Sequence, residues 1–305
     1  MTTKKIMVVG SSNTDMVIKT WKLPLPGETI LGGDFFMNPG GKGANQAVAA
    51  KRLGGTVSFI GKIGNDIFGQ QAKQLMQDEG IDVRNVFADP EKPSGIALIT
   101  VNSMGENSIV VAPGSNGTLS IGDFYQAIPE LDKSDIVLLQ LEIPLSTVSY
   151  IAEYASQKGK MVILNPAPAD HLPDALLKNI YMITPNESEA ELLTGIHITD
   201  ENSALKSATI LKEKGIEIVI ITTGATGAFV LSKEFTGMVG APKVEVVDTT
   251  AAGDTFNGAL VVALSEERPL QQAVEFACIA ASISVTKMGA QSSIPYRGEI
   301  YTNNK

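Results

Sequence analysis

The chain has 305 residues, 44% of them hydrophobic and 19% charged, enough for one large folded α/β domain or two smaller ones. A net charge of −9 with no Lys/Arg cluster argues against a nucleic-acid surface, and two histidines, His171 and His197, are too few for a His-rich zinc site. The single cysteine excludes an intramolecular disulfide. No apolar run is long enough to span a membrane and none reads as a signal peptide, so a cytoplasmic protein with no membrane partner is expected.

In chain order, "KKIMVVG" reads as a first buried strand over 6–9. "GSSNTDMV" follows and sets Asn13, Thr14 and Asp15 beyond its carboxyl end, the edge where open α/β sheets bind ligands. Short polar side chains there hold hydroxyl groups or merely shape a turn. Further strands are expected over 57–60, 136–140, 161–164, 182–184 and 218–222. Helices are expected over 44–53, 68–79, 145–158, 187–194, 203–214, 254–266 and 270–287. Apolar strands alternating with amphipathic helices predict an α/β fold, a mainly parallel sheet covered by helices on both faces. Two stretches depart from this rhythm, 16–37 and 94–111, the second a hairpin around "SMGE". They read as a small β-sheet inserted into a single domain spanning 1–305.

"FMNPGGKGANQAVAAKRLG" wraps glycines around a lysine and suggests phosphate. A P-loop would need glycine at Phe36 and a hydroxyl residue at Gly43, and a dinucleotide fingerprint would need glycine at Gln46, so both motifs fail. What remains is a glycine-rich turn feeding a helix whose free backbone N–H groups suit an electronegative ligand, with Lys42 and Asn45 adding donors. An ordinary turn and cap is the plainer reading.

"VVDTTAAGDTFNGALVVAL" carries more chemistry. Ala251, Ala252 and Gly253 lead into a helix, and bare N–H groups there form an anion hole. Asp254 beside them is placed to take a proton from an alcohol while the anion hole steadies a transferring phosphoryl group; the competing reading is an N-capping aspartate. In "TPNESEAELLTG", Asn186 and Glu189 share one helix face and suit a metal–phosphate cluster. In "IITTGATGAFV", the turn from Thr222 to Gly227 lets a nucleotide approach the backbone, or is a plain hairpin.

Together these segments, with "QLE", "NPAPA" and "KMGAQSSIP" in the expected order, resemble the ribokinase / phosphofructokinase-B family of sugar and nucleoside kinases over nearly the whole chain. The resemblance implies transfer of the γ-phosphate of ATP to the 5-hydroxyl of ribose, with deoxyribose or another sugar or nucleoside as the alternative acceptor. It implies Asp254 as base and Ala251, Ala252 and Gly253 as anion hole. Asn13, Thr14, Asp15, Gly41, Lys42, Gly43, Asn45 and Glu142 would contact the sugar. Asn186, Thr222, Thr223, Gly224, Ala225, Thr226, Gly227, Gly253 and Cys278 would contact ATP. Glu189 would organise Mg²⁺, and Asp248, Thr250, Ser284, Lys287, Gly289 and Ser293 would surround K⁺. The inserted β segments would form a lid that pairs into a homodimer. An oxidoreductase is disfavoured by the failed fingerprint, and a non-catalytic sugar-binding protein by the intact AAGD.

Overall fold

The computed structural model describes residues 3–302; the outermost ends of the expected domain, 1–2 and 303–305, lie outside the described residues. Thirteen strands form among these residues: β1 Lys5–Val9, β2 Asn13–Lys19, β3 Phe35–Gly40, β4 Thr56–Gly64, β5 Asp82–Asp89, β6 Gly95–Val101, β7 Asn107–Ala112, β8 Ile136–Leu139, β9 Met161–Leu164, β10 Met182–Ile183, β11 Ile218–Thr222, β12 Ala228–Leu231 and β13 Thr236–Val239. The helices are α1 Lys42–Arg52, α2 Ile67–Asp78, α3 Ile121–Leu131, α4 Leu145–Gln157, α5 Asp174–Leu177, α6 Glu187–Thr194, α7 Glu201–Glu213, α8 Ala252–Ser265, α9 Leu270–Ser284 and α10 Arg297–Thr302.

Nine strands make one sheet in the order β13-β12-β11-β10-β9-β8-β1-β4-β5. It is parallel from β11 to β5 and antiparallel only where β12 and β13 fold back at one edge. Side-chain alternation feeds two apolar layers, as a strand period of two requires. Ile6, Val8, Ile136 and Leu138 face one layer with α1, α8 and α9, whereas Met7, Val9, Val137 and Leu139 face the other with α3, α4 and α7. Both sheet faces are thus covered, which is why the parallel strands read as unbroken apolar runs.

A second sheet has four strands in the order β3-β2-β6-β7. It takes in Asn13, Thr14 and Asp15, which the sequence reading left between strands, so the small sheet begins before position 16 and closes after position 37, at Gly40. Its outer strand β7 is exposed throughout, with Ile109, Val110 and Val111 at 52%, 65% and 47% exposure. No described helix is long and apolar enough to cross a membrane.

Candidate active site

The site lies at the carboxyl ends of β1, β8, β9, β10 and β11. The glycines around Lys42 are explained here by packing. Gly41 has φ 89°, and a Cβ on it would come within 2.7 Å of the Asn13 N and 2.9 Å of the Ser12 Cα. A Cβ on Gly43 would lie 2.7 Å from the Gly10 Cα. The two glycines let the start of α1 press onto the chain leaving β1. The N–H groups expected to await a ligand are occupied: the Lys42 N–H donates to Glu142 Oε2 at 2.9 Å, the Gly43 N–H to Ser11 Oγ at 3.4 Å and the Ala44 N–H to the Ser11 carbonyl at 2.9 Å. Glu142 also accepts from the Ser11 hydroxyl, so it caps α1 from across the sheet. The helix therefore starts at Lys42, two residues before the expected 44.

What α1 offers the site are side chains. Lys42 sits amid carboxylates. Burial alone would pull its pKa down, but Asp254, Glu142, Glu189 and Asp15 outweigh that and hold it above the ordinary value, so it stays charged. Asn45 Nδ2 donates to Asp254 Oδ2 at 2.9 Å, and Gln46 Nε2 donates to Asp254 Oδ1 at 2.9 Å. Asn45 Oδ1 is buried without a hydrogen-bond partner, a group that a bound hydroxyl would satisfy.

Asp254 is 6% exposed and stands in the first turn of α8. The capping alternative does not hold. The N-cap is Ala251, in a left-handed conformation with φ 58°, and Asp254 accepts from two side-chain amides instead. A non-glycine residue in that region is strained by about 1–2 kcal/mol, and such strain concentrates at functional turns. The turn exposes Gly253, whose Cα faces open space with nothing within 4 Å of an added Cβ. Backbone N–H groups of a helix's first turn beside open space are the geometry of an anion hole. The cleft over this turn is lined by Lys42, Asn165, Ala167, Thr184, Asn186, Glu189, Thr222, Thr249, Ala251, Ala252, Gly253, Asp254 and Asn257.

The small sheet adds no residue to the lining of this cleft, but it brings Asp15 close enough to Asp254 and Lys42 to feel their charges. Asn13 is 5% exposed, and its Oδ1 accepts from Asn116 Nδ2 at 2.8 Å, which turns its own amide N–H groups toward any ligand. Asp15 shares a face of β2 with Asn13; burial, then the charges of Glu142 and Asp254, push its pKa up to about 6 against the opposing pull of Lys42. Strand alternation turns the Thr14 side chain to the opposite face from those of Asn13 and Asp15.

Asn186 and Glu189 form a reciprocal capping box on α6: the Glu189 N–H donates to Asn186 Oδ1 at 2.8 Å and the Asn186 N–H to Glu189 Oε2 at 2.9 Å. Both still line the cleft. Burial raises the pKa of Glu189 against the opposing effects of the Asn186 N–H and Lys42. In the turn after β11, Thr222 lines the cleft, while Gly224, Ala225 and Thr226 are exposed at its rim. Thr223 and Thr226 bond within the turn, and Gly227, at φ 111°, starts the return strand β12. Cys278 does not line the cleft. It is 3% exposed in the apolar layer around α9, and burial pushes its thiol up to about 12. It is a core residue, as its apolar neighbours on α9 dictate.

Two ion sites were expected. Among the described residues no group of three or more His, Cys, Asp or Glu is arranged to hold a metal. Glu189 nonetheless fits Mg²⁺, which takes one or two carboxylates and completes its shell with phosphate and water. The K⁺ set is oxygen-rich, as a hard cation requires. Asp248 Oδ1 accepts from the Thr250 N–H at 2.9 Å and the Thr250 hydroxyl at 2.6 Å, and its Oδ2 from the Gly289 N–H at 2.8 Å. Burial pushes the Asp248 carboxyl up, but these bonds outweigh it and hold it below the ordinary value. The Ser284 and Ser293 hydroxyls each donate to a carbonyl three residues earlier at 2.8 Å, which leaves oxygen lone pairs free. Lys287 departs from the set through its side chain, which pairs with Glu299 at 2.5 Å and leaves only its carbonyl for a cation.

Sequence reasoning missed Gln46, Asn116, Gln140, Asn165, Thr184 and Asn257. The Thr184 hydroxyl donates to Asn257 Oδ1 at 2.7 Å, and Asn257 Nδ2 to the Gly253 carbonyl at 2.9 Å, which ties the anion-hole turn to β10. "NPAPA" and the asparagine of "TFNG" were in quoted segments, but no spacing rule marks them as partners.

The chain is similar to known proteins in sequence and fold. A family model described as pfkB family carbohydrate kinase matches residues 3–297. A ribokinase of Haemophilus influenzae is 49% identical over 296 residues, 97% of either chain. A deoxyribokinase of Salmonella typhi is 36% identical, with 95% of each chain covered. The solved structure of Arabidopsis thaliana ribokinase complexed with ribose and ATP has a TM-score of 0.91 at 31% identity, covering 99% of this chain and 98% of that one. With its cleft, its two-sheet architecture and a family match over almost its whole length, the chain belongs to the pfkB family of carbohydrate kinases.

Proposed function

We propose that the protein phosphorylates D-ribose at O5 with ATP, giving ribose 5-phosphate and ADP. The observation that carries this reading is Asp254, buried at the first turn of α8 with both carboxylate oxygens held by amides, directly beside the open backbone of Gly253. Ribose lies between Asn13, Asp15, Lys42, Asn45 and Glu142 with O5 toward Asp254. Asp254 takes the proton of O5, a bond forms from O5 to the γ-phosphorus, and the bond from that phosphorus to the bridging oxygen breaks, its electron pair leaving with ADP. The transition state is loose, so positioning and charge stabilisation by the first-turn N–H groups of α8 supply most of the rate. ATP lies along Asn186 and the turn from Thr222 to Gly227. Glu189 would hold Mg²⁺, which would supply neutralisation of phosphate charge, and the Asp248 and Gly289 loops would hold K⁺ beside the anion hole.

The kinase works as one domain with the small sheet as lid, and two lids pair into a homodimer. The exposed Ile109, Val110 and Val111 of β7 support this, since an apolar edge strand with one side unpaired invites a partner. Use of ATP and a lone buried cysteine support a cytoplasmic setting.

Release of ADP in a coupled assay with a panel of sugars tests the function. Asp254→Asn should lower kcat by roughly 10²–10⁴-fold, and ADP release by that variant at the wild-type rate would sink the mechanism. Deoxyribose is the second acceptor to weigh. The Asn13 amide, with its oxygen held by Asn116, is left to donate to a sugar hydroxyl, which favours ribose. Asn13→Met should narrow the preference mainly by harming ribose; equal kcat/KM for the two sugars in the wild type would refute that role.

A further inference from the structure

Behind the cleft floor runs a chain of buried amides with a fixed direction. Gln140 and Gln46 are both 0% exposed. Gln140 Nε2 donates to Gln46 Oε1 at 2.5 Å, and Gln46 Nε2 donates to both Asp254 Oδ1 and Asn165 Oδ1 at 2.9 Å. Turning the Gln46 amide over would set its oxygen against two acceptor oxygens, so its orientation is determined. Gln140 completes that determination, because it presents an N–H where only an oxygen can receive it.

Gln140 itself is poorly served as a structural residue. Its Oε1 is buried with no hydrogen-bond partner. An apolar side chain of similar size would remove that unpaired acceptor but would leave the buried Gln46 Oε1 without its donor. The fold also keeps room for it: a methyl group on Gly10 would fall on the Gln140 Oε1. A buried amide with its own oxygen unpaired, aimed through a second amide at the carboxylate, points to a task in the reaction.

We infer that Gln46, oriented by Gln140, is a positioning residue for Asp254: together with Asn45 on the other oxygen it fixes the plane of the carboxylate and leaves the remaining lone pairs to the sugar hydroxyl. The inference rests on Asp254 acting as the base. The charged groups around that carboxylate are Lys42 of α1, Asp15 of β2, Glu142 beyond β8 and Glu189 of α6. The two amides are the neutral part of its surroundings, and each donates to one of its oxygens.

The test compares Gln46→Met, Gln140→Leu and Asp254→Asn, alone and combined, by steady-state kinetics with ribose and ATP across pH. Gln46→Met should lower kcat about 10–100-fold, the worth of a hydrogen bond to a charged group, with the KM for ribose changed far less. The acidic limb of kcat/KM should move to higher pH. Gln140→Leu, which touches neither Asp254 nor substrate, should do the same to a smaller extent, with a modest fall in Tm because Gln46 Oε1 loses its donor. In the Asp254→Asn background neither change should lower the residual kcat further, because residues acting through one another are not additive. Wild-type kcat and pH limb in both glutamine variants, or losses that multiply in the double variants, would overturn the inference while leaving the base in place. Asp254→Asn at the wild-type rate would instead remove the base reading itself, and this inference with it.

Discussion

Replacement of Gly258 by alanine probes how the two halves of the site are held together. Helices α1 and α8 cross at this glycine. A Cβ here would lie 2.8 Å from the Ala50 N and 2.8 Å from the Gln46 carbonyl oxygen, and closer still to the Ala49 Cβ. Neither backbone nor the fixed Ala49 Cβ can swing aside as a side-chain tip can, so restoring ordinary contact near 3.5 Å pushes α1 back by roughly 1 Å. The resulting strain of about 1–3 kcal/mol is partly offset by the gain of about 1 kcal/mol for alanine over glycine in a helix. A modest fall in Tm is therefore expected. Activity should suffer more. Asn45 and Gln46 lie on the displaced helix, and their 2.9 Å bonds to Asp254 would lengthen toward the limit of hydrogen bonding. A misplacement of this size costs on the order of 10-fold to 100-fold in kcat. Steady-state kinetics and thermal unfolding on the same preparation read both quantities. A variant with wild-type kcat would show that the crossing distance does not set the base, and the argument from α1 would fail.

Gly253→Ala is the complementary case five residues earlier: its methyl meets no protein atom but enters the cleft, so Tm should hold or rise while kcat with ATP falls at least 10-fold by the loss of charge stabilisation. Asp15, whose folded pKa of about 6 exceeds its unfolded value, binds its proton more tightly in the native state, so its ionisation lowers stability as pH rises from about 4 to about 6. Asp15→Asn should therefore have a higher Tm than the wild type at pH 8, a difference that fades near pH 4, and a much larger KM for ribose; an identical Tm at pH 8 would refute the burial argument. Asp248→Ala frees Thr250 and Gly289 at once and should abolish any difference between K⁺ and a large organic cation at constant ionic strength; a retained K⁺ response would move the cation elsewhere.

The parallel body was legible because its strands, such as "IVLL" and "MVIL", are buried along all or nearly all of their length and leave a run of apolar residues between helical periods. Strand β5, "DVRNVFAD", was not, since charged residues punctuate an edge position, and α3 hides its amphipathic period behind Pro129. The start of α1 depends on Glu142, 100 residues away, which no local pattern announces. Within the site, Asp254, Lys42 and Asn45 stood out because they sit in glycine-rich segments with a recognisable order. Gln46 and Gln140 did not: one lies inside a helix and the other just past an apolar strand, and only the packed structure shows that they meet. The left-handed Ala251 was equally hidden, because alanine carries no sign of such a conformation.

Four carboxylates surround a single ammonium at Lys42. A neutral sugar enters that surplus of negative charge without paying an electrostatic toll, and its hydroxyls satisfy acceptors that would otherwise face water. Its phosphorylated form is a dianion, and the same surroundings repel it once ADP and its counter-ions no longer shield the site. The acidic wall therefore acts as a turnstile. It discriminates between a sugar and a sugar phosphate by charge alone, favours departure over rebinding, and limits how strongly the accumulating product occupies the enzyme.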